Sequence, residues 1–459
     1  MMSKTTCDVI VIGAGIAGIS TATAAREQGL DVVLLEKMPT IGGSTVMSGG
    51  WFAFTGTDEQ QEEGVEDSID LFREDLLNVG AHQNDPDLVD AYLEHQLETY
   101  RWLKNKGVNF GEVSISSGQS AARGHSTKIR EVVALLHADF SERGGKTRLN
   151  ARVTALLQDF SGRVDGVIIN GDENLYARRG VVIASGGFSR STELLKIFAP
   201  EQLAALPYGG AGNTGDGLKM GWKLGAGMAD MSAVSGTYGS HPETTDEQQE
   251  LLTAYYMGAI IVNKDGQRFI DESLDYKTLG AAVITQKDAI AFQIFDAGVR
   301  AQSHRGIALK DMDTLEDFGH LPSGNSLEEL AELIEVPAEQ LLKTVEEYNA
   351  SIDAGEGDAL GRTHLCNGVG ELKGIVEKPF YAYPAKTLMT TTYAGLTFTP
   401  RGEVTDVDGE VIDGLFAVGE VTGGFHGAAY MTGSSLGKGA VFGHLVAQTL
   451  NHKEKDTHG

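Results

Sequence analysis

The sequence has little cysteine and no long apolar run. Its 459 residues include only Cys7 and Cys366, too few for a disulfide framework, and it shows no CxxCH haem motif or cysteine cluster for iron–sulfur. No stretch approaches the ~20 apolar residues of a membrane span, and the first residues lack the pattern of a secretory signal. We therefore expect a cytoplasmic protein in which any redox centre is a bound organic cofactor.

Positive charge and proline are also scarce. The 37 Lys and Arg residues stand against 64 Asp and Glu, for a net charge of −27, which disfavours nucleic acid and anionic membranes as partners. Only 10 prolines accompany 59 glycines, and the glycines follow no Gly-X-Y period. This excess excludes collagen and indicates tight turns and close approach of backbone to a ligand. The length predicts two or three lobes.

The chain opens with a strand, a glycine-rich turn, a helix and a second strand. They are residues 8–12, Gly13-Ala-Gly15-Ile-Ala-Gly18, a helix through Gln28, and residues 32–35 followed by Glu36. This order is typical of a dinucleotide-binding unit. Gly13 and Gly15 permit close approach of a pyrophosphate at the helix N-terminus, and Gly18 permits close helix–strand packing. The Glu36 carboxylate suits ribose hydroxyls and would repel a 2′-phosphate, which argues against NADP.

Two later strand-to-glycine transitions suggest that the chain returns to the same lobe. They are residues 180–188 and 414–424, each ending at the carboxyl edge of a predicted strand, where open α/β sheets bind ligands. Residues 232–360 have a different sequence pattern from the segments on either side. They contain an acidic stretch at 243–250, which we expect to be a solvated loop, and a helical pair at 326–335 and 337–353.

Motifs along nearly the whole chain resemble the fumarate reductase/succinate dehydrogenase class of flavoproteins. The matching residues are the GAGIAG turn with Glu36, Ile41-Gly-Gly-Ser-Thr45, Ser48-Gly-Gly50, Ala184-Ser-Gly-Gly-Phe188, Thr214-Gly-Asp-Gly217, residues 258–269 and Gly419-Glu-Val-Thr-Gly-Gly-Phe-His-Gly427. The resemblance implies FAD and an α/β fold. A Rossmann-like, glutathione-reductase-like FAD-binding domain would comprise residues 1–231 and 361–459, with an inserted α+β capping domain at 232–360.

The same resemblance implies which residues contact FAD. Glu36 would hold the adenosine ribose, Glu420 the ribityl or pyrophosphate region, and Thr45 would lie near the reactive flavin nitrogen. The helix that starts near Ser434 would point its N-terminus at the pyrimidine end of the flavin, where its dipole stabilises negative charge. The full expected set is Gly13, Gly15, Ala17, Gly18, Glu36, Lys37, Gly42, Gly43, Ser44, Thr45, Ser48, Gly49, Gly50, Val153, Ser185, Gly186, Gly187, Asp216, Gly419, Glu420, Ser434, Ser435 and Leu436.

Residues 41–50 contain no histidine, the residue that binds FAD covalently in some relatives of this class. We therefore expect dissociable FAD. No metal site is expected.

The chain departs from the fumarate reductase pattern where that pattern binds dicarboxylates. An arginine that follows the motif RF-x-x-E is replaced by Tyr276, and an asparagine–arginine pair after the last His-Gly is replaced by a segment that contains Tyr430. The acid and arginine of the proton relay fall at Leu252 and Tyr255, and only His241 is retained. Guanidinium groups are the usual partners of carboxylates, so we expect fumarate to be a poor substrate.

The string RF-x-x-E-S-x-x-Y resembles the 3-ketosteroid 1-dehydrogenases, relatives on the same fold. The resemblance implies that Tyr276 takes a proton from the carbon beside a ketone, and that the Tyr430 hydroxyl and the Gly433 N–H hold the ketone oxygen. Residues 430–435 read Tyr-Met-Thr-Gly-Ser-Ser instead of the Tyr-Pro-Gly-Pro-Gly of those enzymes, and the chain is shorter, so a full steroid is not indicated. A tyrosine that assists the base is expected among Tyr238, Tyr255 and Tyr256.

These patterns predict an FAD-dependent oxidoreductase of a CH–CH bond next to a carbonyl, acting on a ketone or enone with an external electron acceptor or donor. The alternatives are an ene-reductase of a small unsaturated acid and a flavoprotein electron-transfer subunit. The chemistry requires a base, a hydride acceptor and help for the enolate charge. A phenol has a pKa of ~10, so Tyr276 needs nearby positive charge or hydrogen bonds to act as base. Structural alternatives are core packing for Tyr276, structural roles for His241 and His426, and an acid-paired Arg268.

Overall fold

The computed structural model describes residues 6–245, 248, 250–307, 309–355, 358–366 and 370–452. The chain divides into two compact units. The first comprises Met1–Ala199, Gly209–Val234 and Thr391–Gly459, and the second Pro200–Tyr208 and Ser235–Thr390. Compactness does not show which residues hold cofactor or substrate, so the functional boundaries at 231 and 360 stay a prediction.

The described residues form both strands and helices, short and long. The strands are β1 (Thr6–Ile12), β2 (Val32–Leu35), β3 (Trp51–Ala53), β4 (Val113–Ser114), β5 (Gly124–Ser126), β6 (Lys146–Arg148), β7 (Val153–Gln158), β8 (Val164–Ile169), β9 (Glu173–Ile183), β10 (Leu206–Pro207), β11 (Met228–Ala229), β12 (Val234–Ser240), β13 (Ile260–Val262), β14 (Ala291–Phe295), β15 (Ser323–Gly324), β16 (Phe380–Thr392), β17 (Gly395–Leu396), β18 (Glu403–Thr405) and β19 (Val411–Ala417). The helices are α1 (Ile16–Glu27), α2 (Asp58–Glu62), α3 (Ile69–Val79), α4 (Pro86–Asn105), α5 (Ile129–Glu142), α6 (Thr192–Phe198), α7 (Asp216–Lys223), α8 (Tyr276–Ile284), α9 (Ala297–Arg300), α10 (Met312–Asp317), α11 (Leu327–Leu333), α12 (Ala338–Ala354) and α13 (Ser434–His452).

An eight-stranded sheet forms the centre of the first unit. Its main order is β18-β19-β9-β1-β2-β6, in which β19, β9, β1, β2 and β6 run parallel. Strand β8 pairs antiparallel with β9, and β7 pairs antiparallel with β8. The β-branched run of β1 is almost wholly buried, as expected for a strand covered on both faces. The predicted return of the chain is confirmed, because β9 and β19 carry the two strand-to-glycine transitions and pair with each other.

Helices α1 and α13 pack closely in this unit. A Cβ atom added to Gly443 would lie 2.7 Å from the carbonyl oxygen of Ala17, and one added to Gly439 would lie 3.4 Å from the Ala17 Cβ. Small residues therefore let the two backbones approach, and both helices belong to the same large apolar core. This packing positions the N-terminal ends of both helices, which carry predicted cofactor residues.

A six-stranded, mostly antiparallel sheet forms the centre of the second unit, in the order β10-β16-β14-β13 with β12 and β15 also paired to β16. The predicted helical pair is present as α11 and α12. The Ser326 hydroxyl caps α11 by accepting the Glu329 N–H at 3.2 Å, and Pro337 immediately precedes α12.

Two predictions that involve acidic residues of the second unit, the pairing of Arg268 and the exposure of residues 243–250, have different outcomes. Arg268 pairs with Glu272 and Asp358, each at 2.6 Å, which confirms the acid-paired interpretation of Arg268. The solvated-loop prediction for 243–250 is wrong at Glu250, which is 4% exposed because its carboxylate bonds His320. Residues 246, 247 and 249 of that stretch lie outside the described residues.

Among the described residues, no helix combines the length and apolar character that crossing a bilayer requires.

Candidate active site

The turn between β1 and α1 is built for close backbone approach. Gly13 has φ +104°, and a Cβ atom there would lie 2.3 Å from the Ala184 carbonyl oxygen, while one on Gly18 would lie 1.9 Å from the Gly13 oxygen. The first turn of α1, which contains Ala17, has no acidic residue, so the partial positive charge of the helix end is uncompensated. The turn therefore fits the anionic pyrophosphate of a dinucleotide.

Glu36 is held at the end of β2 by backbone donors. It is only 7% exposed, and its two carboxylate oxygens accept the Ala14 N–H and the Met38 N–H, each at 2.9 Å. These bonds compensate the buried charge and fix the orientation of the carboxylate. Each oxygen keeps a lone pair, so the group retains capacity for ribose hydroxyls.

The segment from Gly42 to Gly50 crosses the start of α1. The Thr45 hydroxyl oxygen accepts the Ile16 N–H at 3.0 Å, and the Ser48 hydroxyl donates to the Thr45 carbonyl at 2.8 Å. The Ser44 hydroxyl oxygen accepts the Gly210 N–H at 2.9 Å. The backbone at Gly42, Gly43 and Gly50 has positive φ, and Gly49 lies beside the Trp51 ring.

A half-buried carboxylate joins three parts of the first unit. Glu420 accepts bonds from Asn213 Nδ2 and from the Thr391 hydroxyl and Thr392 N–H, each at 3.0 Å. A Cβ atom on Gly187 would lie 1.8 Å from Thr392 Oγ1, so the Ser185-Gly186-Gly187 turn reaches the same place. The structure thus brings these predicted residues together with Gly419, which begins the short 3₁₀ turn that contains Glu420.

Asn213, Thr391 and Thr392 were not predicted from the sequence. Asn213 directly precedes the Thr-Gly-Asp-Gly motif, and this proximity is the signal that could have indicated it. The two threonines carry no local signal, because their contact with Glu420 joins residues nearly thirty positions apart.

Two further predicted cofactor residues bind each other. Lys37 Nζ lies 3.0 Å from the Asp216 carboxylate and 2.7 Å from the Thr214 hydroxyl, and Arg152 Nε lies 3.1 Å from Asp216. These cations keep the pKa of Asp216 below its ordinary value, against the opposing effect of burial. Val153 adjoins Arg152 at the start of β7 and is buried.

Tyr430 lies just before α13 among aromatic side chains. Its ring centroid is 5.2 Å from that of Tyr393 and 6.0 Å from that of His426. Gly433, with φ +90°, connects this segment to α13, which begins at Ser434 as predicted and continues through Ser435 and Leu436. Whether the Tyr430 hydroxyl and the Gly433 N–H hold a ketone oxygen stays a prediction.

Lys438, in the second turn of α13, was not predicted. Its side chain is buried, and Nζ donates to the Thr422 carbonyl at 2.7 Å. Desolvation lowers the pKa of the ammonium to about 7, with the nearby charges of Asp230 and Glu420 opposing this effect. The sequence signal is a lysine within a stretch that is otherwise free of polar side chains from Leu436 to Gly443.

Tyr276 is the first residue of α8 in the second unit. Asp275 caps this helix by accepting the N–H groups of Lys277 at 3.0 Å and Thr278 at 3.2 Å. Lys277 Nζ lies 5.8 Å from the centroid of the Tyr276 ring, and desolvation lowers the pKa of Lys277 to about 8. Tyr276 therefore has an ammonium group, the N-terminus of a helix and the Asp275 carboxylate beside it; the first two favour a phenolate, and the carboxylate opposes it.

The three candidate assisting tyrosines form one cluster in this unit. The Tyr255 ring centroid lies 5.7 Å from that of Tyr238 and 4.5 Å from that of Tyr256. The Tyr255 hydroxyl donates to the Tyr238 carbonyl at 3.2 Å, and the Tyr256 hydroxyl donates to the Leu274 carbonyl at 2.9 Å. Burial raises the pKa of Tyr238 and Tyr255 well above the ordinary value, so neither phenol ionises readily.

His241 and His320 form a stacked pair beside acids. Their ring centroids are 3.7 Å apart and their planes differ by 7°, while His320 Nδ1 lies 2.7 Å from Glu250 and Nε2 lies 3.3 Å from Glu243. Imidazole lone pairs lie in the ring plane, so two parallel stacked rings cannot both point at one ion. The cluster suits protons shared between His320 and the carboxylates. Burial lowers the pKa of His241 to about 4, so this ring is neutral near pH 7.

Comparison with known proteins finds a matching family model, a sequence relative and similar solved structures. The sequence model of the family described as FAD binding domain matches residues 8–436. The chain is similar to a probable fumarate reductase, Ifc3, of Shewanella frigidimarina (strain NCIMB 400). The two are 31% identical over 453 residues, which cover 96% of this chain and 74% of that protein.

Two solved structures are similar to the whole chain. The open conformation of a flavocytochrome c3 fumarate reductase has a TM-score of 0.84 at 30% identity, covering 97% of this chain and 78% of that one. The 3-ketosteroid-Δ4-(5α)-dehydrogenase of Rhodococcus jostii RHA1, in complex with 4-androstene-3,17-dione, has a TM-score of 0.78 at 25% identity, covering 98% of both chains.

Proposed function

The chain belongs to the family defined by this FAD binding domain and is an FAD-dependent oxidoreductase of CH–CH bonds, and from that premise we propose that it interconverts a saturated and an α,β-unsaturated ketone. The observation that supports this most is Tyr276 at the N-terminus of α8 with Lys277 Nζ 5.8 Å from its ring. It supplies a phenol with an adjacent cation at the position where the fumarate reductase pattern has an arginine.

The residues of the first unit fit FAD. The uncharged glycine turn at the start of α1 suits the pyrophosphate, Glu36 suits the adenosine ribose, and Glu420 suits the ribityl region. When bound, FAD supplies hydride transfer. The α13 N-terminus, which has no acidic residue in its first turn, is proposed to face the pyrimidine end.

Tyr276 is proposed to exchange the proton on the carbon beside the carbonyl. Its neighbour Lys277 and the helix end both favour the phenolate, against the opposing charge of the Asp275 carboxylate that caps the helix. In the direction of reduction the same hydroxyl returns the proton.

Tyr430 is proposed to donate a hydrogen bond to the carbonyl oxygen, together with the Gly433 N–H. The rings of Tyr393 and His426 pack around Tyr430 and restrict its orientation, so the donor is positioned before the enolate charge develops. Each turnover changes the flavin by two electrons, so an external electron donor or acceptor completes the cycle. A cytoplasmic location is proposed on the low cysteine content.

A second candidate is reduction of a small unsaturated acid. The fumarate reductases among the relatives favour it, and Lys277 is a cation able to meet one carboxylate. A single ammonium binds a carboxylate less specifically than the bidentate guanidinium fork.

Stopped-flow measurement of flavin absorbance tests the proposal. Oxidised enzyme is mixed with cyclohexanone, a substituted cyclohexanone or succinate, and reduced enzyme with the matching enones or fumarate. We expect the ketone and enone to change the flavin at least tenfold faster than the acids. Faster reaction with fumarate and succinate would establish the second candidate instead, and Lys277→Met would then abolish it.

A further inference from the structure

Lys438 is a buried cation that the proposed chemistry does not use. It is 2% exposed and lies one turn inside α13, where Nζ donates to the Thr422 carbonyl at 2.7 Å. Taking an ammonium out of water is strongly unfavourable unless other groups compensate it. A single carbonyl compensates only part of this penalty, so the surrounding charges are important.

Two carboxylates from different parts of the first unit attract this ammonium electrostatically. Asp230 lies between β11 and β12, and its carboxylate accepts the Gly424 N–H at 2.7 Å. Glu420 lies in the 3₁₀ turn after β19 and is held by Asn213, Thr391 and Thr392. The electrostatic attraction of both acids favours the charged form of Lys438.

The bond from Lys438 also joins α13 to the turn that carries Glu420. Thr422 closes this turn, since its N–H and its hydroxyl both donate to the Gly419 carbonyl, at 3.1 Å and 2.7 Å. The Lys438 ammonium therefore couples two elements that are proposed to contact FAD, the 419–422 turn and the start of α13.

We propose that Lys438 is a positioning residue for the flavin. The buried ammonium of Lys438 adds positive charge behind the α13 N-terminus and stabilises reduced FAD relative to oxidised FAD. The reason is that two-electron reduction places negative charge on the flavin, and a cation in a low-dielectric interior is screened little by water. This inference rests on the proposed flavin position at the start of α13, and it is independent of the proposed substrate.

Redox titration of the FAD-loaded protein at pH 6, where the ammonium is charged, tests this role. Lys438→Met should weaken binding of reduced relative to oxidised FAD about tenfold, which for a two-electron couple lowers the midpoint potential by about 30 mV. At pH 9, where the wild-type ammonium has lost its proton, the wild type and Lys438→Met should have nearly the same potential. Lys219→Met, which removes a surface lysine paired with Glu193, should leave the potential unchanged.

A difference in potential at pH 6 that disappears at pH 9 supports the proposal, because loss of packing would affect the potential equally at both pH values. An unchanged potential in folded, FAD-loaded Lys438→Met at pH 6, or an equal shift at both pH values, would overturn it. If Lys438→Met does not retain FAD, Lys438→Gln, which keeps a hydrogen-bond donor for the Thr422 carbonyl without the charge, decides the question, and an unmoved potential there at pH 6 rejects the proposal. Failure of the ketone assay with the shifts intact would reject the proposed substrate alone.

Discussion

The two tyrosines proposed to act on substrate are held in different ways. Tyr276 begins a helix, with the positive helix end and Lys277 beside it, whereas Tyr430 lies in an irregular segment within contact of Tyr393 and His426. Charge therefore influences the first hydroxyl, and aromatic packing orients the second. The two substitutions to phenylalanine should accordingly have different kinetic effects.

Tyr276→Phe should keep FAD and the affinity for a ketone but lose turnover by ~10²- to 10⁴-fold, the usual contribution of a positioned general base. The measurement is the rate of flavin reduction across a ketone concentration series. Lys277→Met should lower the same rate by a smaller factor and shift its pH dependence upward, because the phenolate loses its neighbouring cation. A near-normal rate for Tyr276→Phe would show that this ring only packs.

Tyr430→Phe should weaken ketone binding and also slow the chemistry, because the proposed hydrogen bond to the carbonyl exists in both the ground state and the transition state. We expect a loss of ~10²-fold or more in kcat/KM, with part of it in the apparent dissociation constant. Removal of one hydroxyl leaves no large cavity, so thermal stability should be nearly unchanged, as a melting curve would show. An unaltered dissociation constant would contradict the proposed donor.

His241 should make the stability of the second unit depend on pH. Its pKa is about 4 in the folded protein and about 6.5 when exposed, so the unfolded chain binds more protons between these values. The contribution of the neutral His241 ring to the free energy of unfolding is present above pH 6.5 and is lost as the pH falls to about 4. Urea unfolding of His241→Gln should lack a component on the order of 1–2 kcal/mol across this window, whereas the exposed His304→Gln variant should follow the wild type. Parallel curves for all three proteins would rule this out.

At the scale of secondary-structure elements, the β1–α1 turn shows how steric limits select glycine. Gly13 and Gly29 both have positive φ, at +104° and +84°, but only Gly13 has backbone atoms close to where a Cβ would lie. Gly29 has no heavy atom within 4 Å of that position. Comparison of Gly13 with Gly29 therefore distinguishes the effect of steric overlap from that of conformational strain alone.

Gly29→Ala should therefore destabilise the protein by about 1–2 kcal/mol, the penalty for alanine in this conformation. Gly13→Ala adds a contact at 2.3 Å with the Ala184 oxygen and should lose on the order of 3 kcal/mol or more, together with FAD. Chemical unfolding and flavin content measure the two effects. Equal losses in both variants would show that the turn tolerates a side chain.

The elements were more predictable from sequence than the contacts between them. The strand–turn–helix–strand opening, the pair β9 and β19, and the start of α13 follow local patterns of apolar residues, glycines and caps. The bond between Lys438 and Thr422 and the burial of Glu250 by His320 depend on tertiary packing. The acidic stretch 243–250 is predicted from its sequence to be exposed to solvent, because the distant His320 that bonds Glu250 leaves no local signal.

At the scale of the whole molecule, the proposed FAD contacts lie on separate stretches of one unit. The proposed contacts come from residues 13–50, 153, 185–187, 216 and 419–436, and none of them is a histidine in the segment after β2. A cofactor held only by such non-covalent contacts should be released when the unit unfolds.

Acid precipitation of the purified yellow protein should therefore leave intact FAD in the supernatant. Chromatography of the supernatant against FAD and FMN standards identifies the nucleotide, and the absorbance of the redissolved pellet near 450 nm measures any flavin that remains attached. Flavin that stays with the polypeptide would contradict dissociable binding.

The pairing of β9 with β19 has a consequence for the order in which the protein is made. Val181–Ile183 pair with Leu415–Ala417, and roughly 230 residues separate these strands along the chain. At ~5–20 residues per second, a ribosome needs on the order of 10–50 s to synthesise that interval. During this time the β9 edge lacks its neighbour, and all of the second unit's residues are translated within the same interval. The first unit, although it contains the first residues synthesised, is completed last.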